Sequence, residues 1–172
     1  MSSRTAALWV LAFMGLAIAG GGLGLLSGGD SRKSADRLPA AGRVVRVIDG
    51  DTARVRLGDR TETVRYIGVD TPETVKPGEP VECFGKRASA SNRRLAEGRR
   101  VRLRFGRERR DRYGRLLAYV YVQGRARSLS GTLVARGYGR VLTIAPNVAH
   151  ARAFDRLERR AQDRGLGLWG AC

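Results

Sequence analysis

Three acidic and two basic positions stand where they could do chemistry together. Asp51 and Asp70 each lie at the edge of a β-rich run, Asp51 after Val47-Ile48-Asp49-Gly50 and Asp70 after Ile67-Gly68-Val69. Buried side by side, two carboxylates repel and resist ionisation. A hard divalent cation relieves that repulsion, and an oxygen-only donor set suits calcium or magnesium. The same residues are also ordinary turn aspartates, since Asp-Gly is common hairpin chemistry. Glu73 follows Pro72 at the start of a loop. A carboxylate there can orient or deprotonate a water for in-line attack on a phosphodiester, or it can simply be solvated. Arg65 interrupts the apolar run from Val64 to Val69, and burying its guanidinium requires an anionic partner. Arg115 follows Tyr113-Gly114, a turn that aims it inward, although most arginines in so basic a chain are solvated. Two arginines and a divalent ion could clamp a phosphate as charge builds in a five-coordinate transition state.

The elements that must position these residues can be read from the pattern. Arg43–Ile48, Thr52–Leu57 and Thr61–Val69 are β-branched or alternating and predict a three-stranded meander turning at Asp49-Gly50-Asp51 and Gly58-Asp59. Phe84, Ala88, Ser91 and Leu95 recur at helical spacing, and Gly98 ends that helix. Arg100–Phe105 and Leu116–Val122 predict two further strands, joined by a charged connection over 106–115. Short helical patterns come next, over Ser130–Arg136 and Val148–Arg164. Five strands interrupted by a helix after the third predict an α+β chain, a β-barrel with helices: an OB-fold, the five-stranded Greek-key barrel whose face commonly binds nucleic acid.

Three segments, Val47-Ile48-Asp49-Gly50-Asp51-Thr52, Arg65 to Thr74, and Asp111-Arg112-Tyr113-Gly114-Arg115-Leu116-Leu117-Ala118-Tyr119, together resemble the staphylococcal nuclease (thermonuclease) family. The resemblance runs from about Arg43 to Trp169. It implies an endonuclease that hydrolyses DNA and RNA with a Ca²⁺ cofactor and little sequence preference, leaving 3′-phosphate ends. By the same resemblance Asp51 and Asp70 are the calcium carboxylates, the backbone carbonyl of Thr71 is a further ligand, and Asp49 is an acidic neighbour of the ligands. Glu73 becomes the base or water-orienting residue, and Arg65 and Arg115 the catalytic arginines. Arg112 and Tyr113 match positions that contact a terminal phosphate of a bound nucleotide. A monomer is expected, acting on single-stranded or locally opened nucleic acid. The chain departs from the family pattern at Leu142-Thr143-Ile144-Ala145-Pro146, where the family carries tyrosines that pack on the base. His150 matches a structural position.

Around this domain, composition sets the context. The chain has 172 residues and a net charge of +17, and only Arg4 of that excess lies in the first 29 residues. Such a domain attracts polyanions. Residues 1–29 form an apolar island with no charge between Thr5 and Gly29, which reads as a cleaved signal peptide or as a membrane anchor over residues 6–28. Either route places the protein outside the cytoplasm, secreted or anchored. Arg32, Lys33 and Arg37, just after the segment, would instead favour a cytoplasmic side for the domain beyond them. Residues 30–42 read as a linker and 43–172 as the folded domain. Cys83 and Cys172 are the only cysteines; in an exported chain two thiols point to one disulfide, with two free thiols as the alternative. Two other functions compete with the nuclease. One is an OB-fold module that binds nucleic acid without cutting it; the other is a membrane-surface protein, which the spread of basic residues over strands and loops disfavours.

Overall fold

The computed structural model describes residues 39–74 and 82–172. The targeting segment expected over residues 1–29, and residues 30–38 of the expected linker, lie outside the described residues. The strands are β1 (Ala41–Asp49), β2 (Thr52–Leu57), β3 (Arg60–Tyr66), β4 (Arg100–Arg110) and β5 (Leu116–Val122). They close into a barrel in the order β1-β2-β3-β5-β4, antiparallel except where β3 runs parallel to β5. With helices α1 (Gly85–Ala96), α2 (Leu129–Ala135) and α3 (Ala151–Asp163) and a single turn α4 (Leu168–Ala171), this is the five-stranded OB-fold that the strand order predicts.

Alternation sets which side faces in. Along β2, Ala53, Val55 and Leu57 are buried while Arg54 and Arg56 are exposed. Val44, Val55, Val64, Tyr66, Leu116 and Val120 fill the interior. Closure leaves no unpaired sheet edge. Burial pushes the Tyr66 phenol up, so it stays neutral, and it donates to Asn92 Oδ1 at 3.2 Å. Asn92, fully buried on α1, in turn donates to the Asp49 carbonyl at 2.9 Å. That one amide fixes α1 against the end of β1.

Several boundaries shift by a residue against the sequence pattern, and four larger differences have a visible cause. Ala41 and Gly42, grouped with the linker, pair with Arg102 and Val101 as the start of β1. The third strand stops at Tyr66 rather than Val69, because the chain turns at Gly68 (φ 86°), where a Cβ would run into the Phe154 ring. The fourth strand continues past Phe105 to Arg110. Its charged end holds strand geometry because the Asn147 amide donates to the Glu108 carbonyl at 3.0 Å and accepts from its N–H at 3.2 Å. The last long helix begins at Ala151, not Val148: Asn147 N–H and Val148 N–H close turns onto Ile144 and Pro146 first.

A disulfide joins Cys83, just before α1, to the C-terminal Cys172. No helix among the described residues is long and apolar enough to cross a membrane.

Candidate active site

The β1–β2 turn delivers the first carboxylate. Gly50 is required there, since a Cβ would collide with the Thr71 side chain. Asp51 follows, only 4% exposed. Its Oδ2 accepts from Thr71 N–H at 2.9 Å and from Thr71 Oγ1 at 3.0 Å. Its Oδ1 accepts from Thr52 Oγ1 at 3.0 Å and pairs with Arg65. These donors and the guanidinium satisfy a carboxylate that water barely reaches.

Asp70 arrives from the end of the β3 excursion. Its backbone forms a bridge with Arg140, the two N–H···O bonds measuring 2.8 and 2.7 Å. Its carboxylate takes the second guanidinium nitrogen of Arg65 at 2.7 Å. Arg65 itself projects from β3, opposite Thr52 of β2 and Leu117 of β5. The anionic partner that its burial demands is therefore double: one guanidinium spans Asp51 Oδ1 and Asp70 Oδ1. The two oxygens thus lie on either side of one guanidinium. Among the described residues no third acidic, histidine or cysteine side chain joins them in a metal cluster. The donor set is nonetheless oxygen-only and doubly negative, and a single positive group already bridges it. It fits a hard divalent cation such as calcium.

Glu73 is anchored on both sides of its backbone. Its N–H donates to the Glu82 carboxylate at 3.1 Å, and the Glu82 N–H donates back to its carbonyl at 3.1 Å. Helix α1 packs directly beneath, where Gly85 leaves only 2.9 Å between its missing Cβ and the Glu73 carbonyl. The Glu73 carboxyl accepts from Thr74 N–H at 2.9 Å and shares a hydrogen bond with the carboxyl of Asp49. Asp49, 6% exposed, also accepts from Thr74 Oγ1 at 2.6 Å. Burial, reinforced by the Glu73 carboxyl and opposed by Thr74, holds the Asp49 carboxyl above its ordinary value. Asp49 and Glu73 thus form a second acidic pair, next to the Asp51–Arg65–Asp70 cluster in sequence.

Arg115 is placed by a residue that spacing alone does not single out. Asp111 accepts from Arg115 N–H at 3.0 Å, from Arg115 Nε at 2.7 Å and from Tyr113 N–H at 3.0 Å. Gly114 (φ 78°) completes the turn. Burial works to raise the Asp111 carboxyl, but the hydrogen bonds and charge of Arg115 outweigh it and hold it below the ordinary value. The Asx-type turn, a carboxylate capping backbone two residues on, is the signal that could have found it. Arg65, Arg112, Tyr113 and Arg115 line one cavity of about 490 Å³, walled on its apolar side by Leu142 and Ile144. Arg112 donates to the Tyr113 hydroxyl at 2.6 Å and lies over its ring, while Tyr113 is 67% exposed. Arg65 therefore faces two ways, with the carboxylates inside and the cavity outside. Glu82, Asn92 and Asp111 are the supporting residues that sequence patterns missed. His150 caps α3 and packs edge-on against Tyr119, away from these groups.

This arrangement coincides with a known sequence pattern. A family described as staphylococcal nuclease homologue matches residues 63–171. The chain belongs to the staphylococcal nuclease family. It is similar to "Thermonuclease" of Staphylococcus intermedius, 40% identical over 126 residues that cover 73% of this chain and 74% of that one. It is also similar to two proteins of Bacillus subtilis (strain 168). "Endonuclease YncB" is 43% identical over 72% of this chain, and "SPbeta prophage-derived endonuclease YokF" is 41% identical over 72% of it. The matched region spans 59% and 42% of those two relatives' own lengths.

Proposed function

We propose that this protein is a calcium-dependent endonuclease that hydrolyses phosphodiester bonds of DNA and RNA outside the cytoplasm. The observation that carries this reading is Arg65, bridging Asp51 and Asp70 on one side and lining a cavity with Arg115 on the other. Asp51, Asp70 and the Thr71 carbonyl would hold the calcium ion, which when bound supplies positive charge to the phosphate oxygens. Arg65 and Arg115 stabilise the charge that accumulates on those oxygens as phosphorus becomes five-coordinate. Glu73 takes a proton from the attacking water; the water oxygen bonds to phosphorus, the P–O5′ bond breaks, and the departing 5′-oxygen is protonated from solvent. The phosphate remains on the 3′ side. Arg112 and Tyr113 steady the adjacent phosphate. The backbone is the target, so little sequence preference is expected. Leu142 and Ile144 offer apolar contact where an aromatic wall would stack on a base, which favours weak base discrimination. The Cys83–Cys172 disulfide supports an oxidising location.

The test is cleavage of single-stranded and duplex DNA and of RNA by the full chain, with calcium or with a chelator. Cutting that requires calcium, leaves 3′-phosphates and falls about 10²–10⁴-fold in Glu73→Gln is expected. Calcium-independent cutting or an unimpaired Glu73→Gln would sink the mechanism. Binding without any cutting would make the domain a nucleic-acid-binding module.

A further inference from the structure

Far from the acidic cluster, the outer face of the barrel carries a row of like charges. Arg43 on β1 stands directly across from Arg56 on β2 and, on its other side, directly across from Arg100 on β4. All three are exposed. Cross-strand neighbours lie about 5 Å apart at Cβ, and like charges placed so are destabilising. Five arginines, Arg43, Arg56, Arg100, Arg102 and Arg125, line a cleft of about 700 Å³ there, and among the described residues no acidic one lines it. None of the five takes part in an ion pair among the described residues. Tyr121 forms part of the wall, with the Arg102 guanidinium 5.1 Å from its ring centre. Elsewhere the fold does pair its arginines, as with Arg110–Glu62 and Arg115–Asp111. Arg46 and Arg54 also face each other across β1 and β2, but the three-arginine row that spans β2, β1 and β4 lies at this cleft.

We infer that this cleft is a second nucleic-acid site, a phosphate-tracking groove that holds the strand whose scissile bond lies at the acidic cluster. The inference rests on the nuclease reading for what the held strand is used for, but the binding itself does not depend on it. A polyphosphate backbone supplies the repeated negative charge that the Arg56–Arg43–Arg100 row lacks. The guanidinium fork suits phosphate oxygens, and the exposed Gln123 amide suits a base or sugar edge. The concavity favours a strand over a flat lipid surface. Arg43 lies six residues before Asp49 on the same strand. At about 3.3 Å per residue the two sites are roughly 20 Å apart. At about 3.4 Å per stacked nucleotide this is about six nucleotides. A trinucleotide cannot occupy both sites; a twenty-nucleotide strand can.

The test compares the full chain with an Arg56→Gln/Arg100→Gln double variant, which leaves Arg43 and its hydrogen bond to Gly98 intact. Binding of a single-stranded trinucleotide and a single-stranded 20-mer is measured by fluorescence anisotropy in chelator over a salt series. The variant is expected to bind the 20-mer about tenfold more weakly at low salt, with a log–log salt slope shallower by about 1.4, or 0.7 for each lost phosphate contact. Trinucleotide binding and trinucleotide cleavage in calcium are expected to be unchanged, and Tm is expected not to fall, because the charge row is relieved. Unchanged 20-mer affinity and slope would overturn the site, as would an equal loss for both oligonucleotides, which would mark a general field effect. Loss of binding to phosphatidylserine vesicles alone, with 20-mer binding intact, would make the face a lipid surface and also overturn it. Absence of cutting by the parent chain, with the 20-mer still dependent on these arginines, would instead remove the nuclease reading and leave the groove.

Discussion

Replacing Arg65 by methionine keeps much of the side chain's length and removes its charge. The Arg65–Asp51 pair is largely buried, the two side chains being 16% and 6% exposed. Deleting one member of such a pair leaves a buried charge uncompensated and costs about 3 kcal/mol. Asp70, whose side chain is 56% exposed, adds well under ~1 kcal/mol, because solvent screens it. In chelator, then, Arg65→Met should lose about 3 kcal/mol, or roughly 10 °C in Tm for a domain of this size. A divalent ion between Asp51 and Asp70 would replace the missing positive charge. At a hundredfold excess over its Kd the ion adds about 2.7 kcal/mol, nearly restoring the variant. The parent chain should gain less, because its guanidinium must leave the carboxylates before the ion can enter. The assay is urea unfolding of the full chain, parent and variant, in chelator and in calcium. A variant as stable as the parent in chelator, or an equal calcium gain in both, would refute the idea that guanidinium and metal compete for one position. Loss of cleavage is expected in either case and does not decide the point.

Asp111→Asn should free Arg115 from a charge-assisted hydrogen bond of about 1.5–3 kcal/mol and lower kcat roughly 10–100-fold with little change in KM; a change confined to KM would mean that Asp111 shapes only the binding pocket. Arg110 donates two hydrogen bonds to Glu62, and these, against a smaller opposing effect of burial, hold its carboxyl below the ordinary value of 4.5. A depressed carboxylate stabilises the fold above its unfolded pKa and loses that contribution as pH falls through the folded one. Glu62→Gln should therefore lower Tm at neutral pH by an amount that shrinks in acid, and a pH-independent difference would count against the pairing. The disulfide closes a loop across a sequence separation of 89, so a Cys83→Ser/Cys172→Ser variant should lose about 4–5 kcal/mol of stability in urea unfolding; a loss below about 1 kcal/mol would show the reduced ends to be held by packing alone.

Strand order and the need of Arg65 for an anionic partner were legible because both depend on local pattern. Alternation in Thr52–Leu57 survives as buried and exposed faces, Leu116–Val122 is an apolar strand with no exposed residue, and the out-of-place charge of Arg65 in an apolar strand did require a buried anion. What escaped was non-local. The extension of β4 through five charged or small residues depends on the Asn147 amide, 39 positions from Glu108. The truncation of β3 depends on a ring from α3 occupying the space beside Gly68. Asn92 reads as a polar break on an amphipathic helix until α1 is laid across the end of β1, where it becomes the buried link between Tyr66 and Asp49. Glu82 reads as a loop carboxylate until its N–H and side chain are seen to clamp Glu73.

The distribution of acid in this chain bears on how a strongly basic domain could bring carboxylates up to a polyanion. Of the 16 acidic residues, six, Asp49, Asp51, Asp70, Glu73, Glu82 and Asp111, gather around Arg65, Glu73 and Arg115. The wider surface draws nucleic acid in, but a phosphate cannot approach bare carboxylates without repulsion. Each acid is accordingly engaged before substrate arrives. Asp51 and Asp70 hold Arg65, Asp111 holds Arg115, Glu82 holds the Glu73 backbone, and Asp49 and Glu73 share a hydrogen bond. Each of these acids is thus partnered inside a domain whose global charge is far from balanced. Entry of a divalent ion between Asp51 and Asp70 would release one guanidinium toward the cavity that Arg115 already lines. The same two carboxylates would then serve first to store a phosphate-binding arginine and afterwards to hold the cation that takes its place.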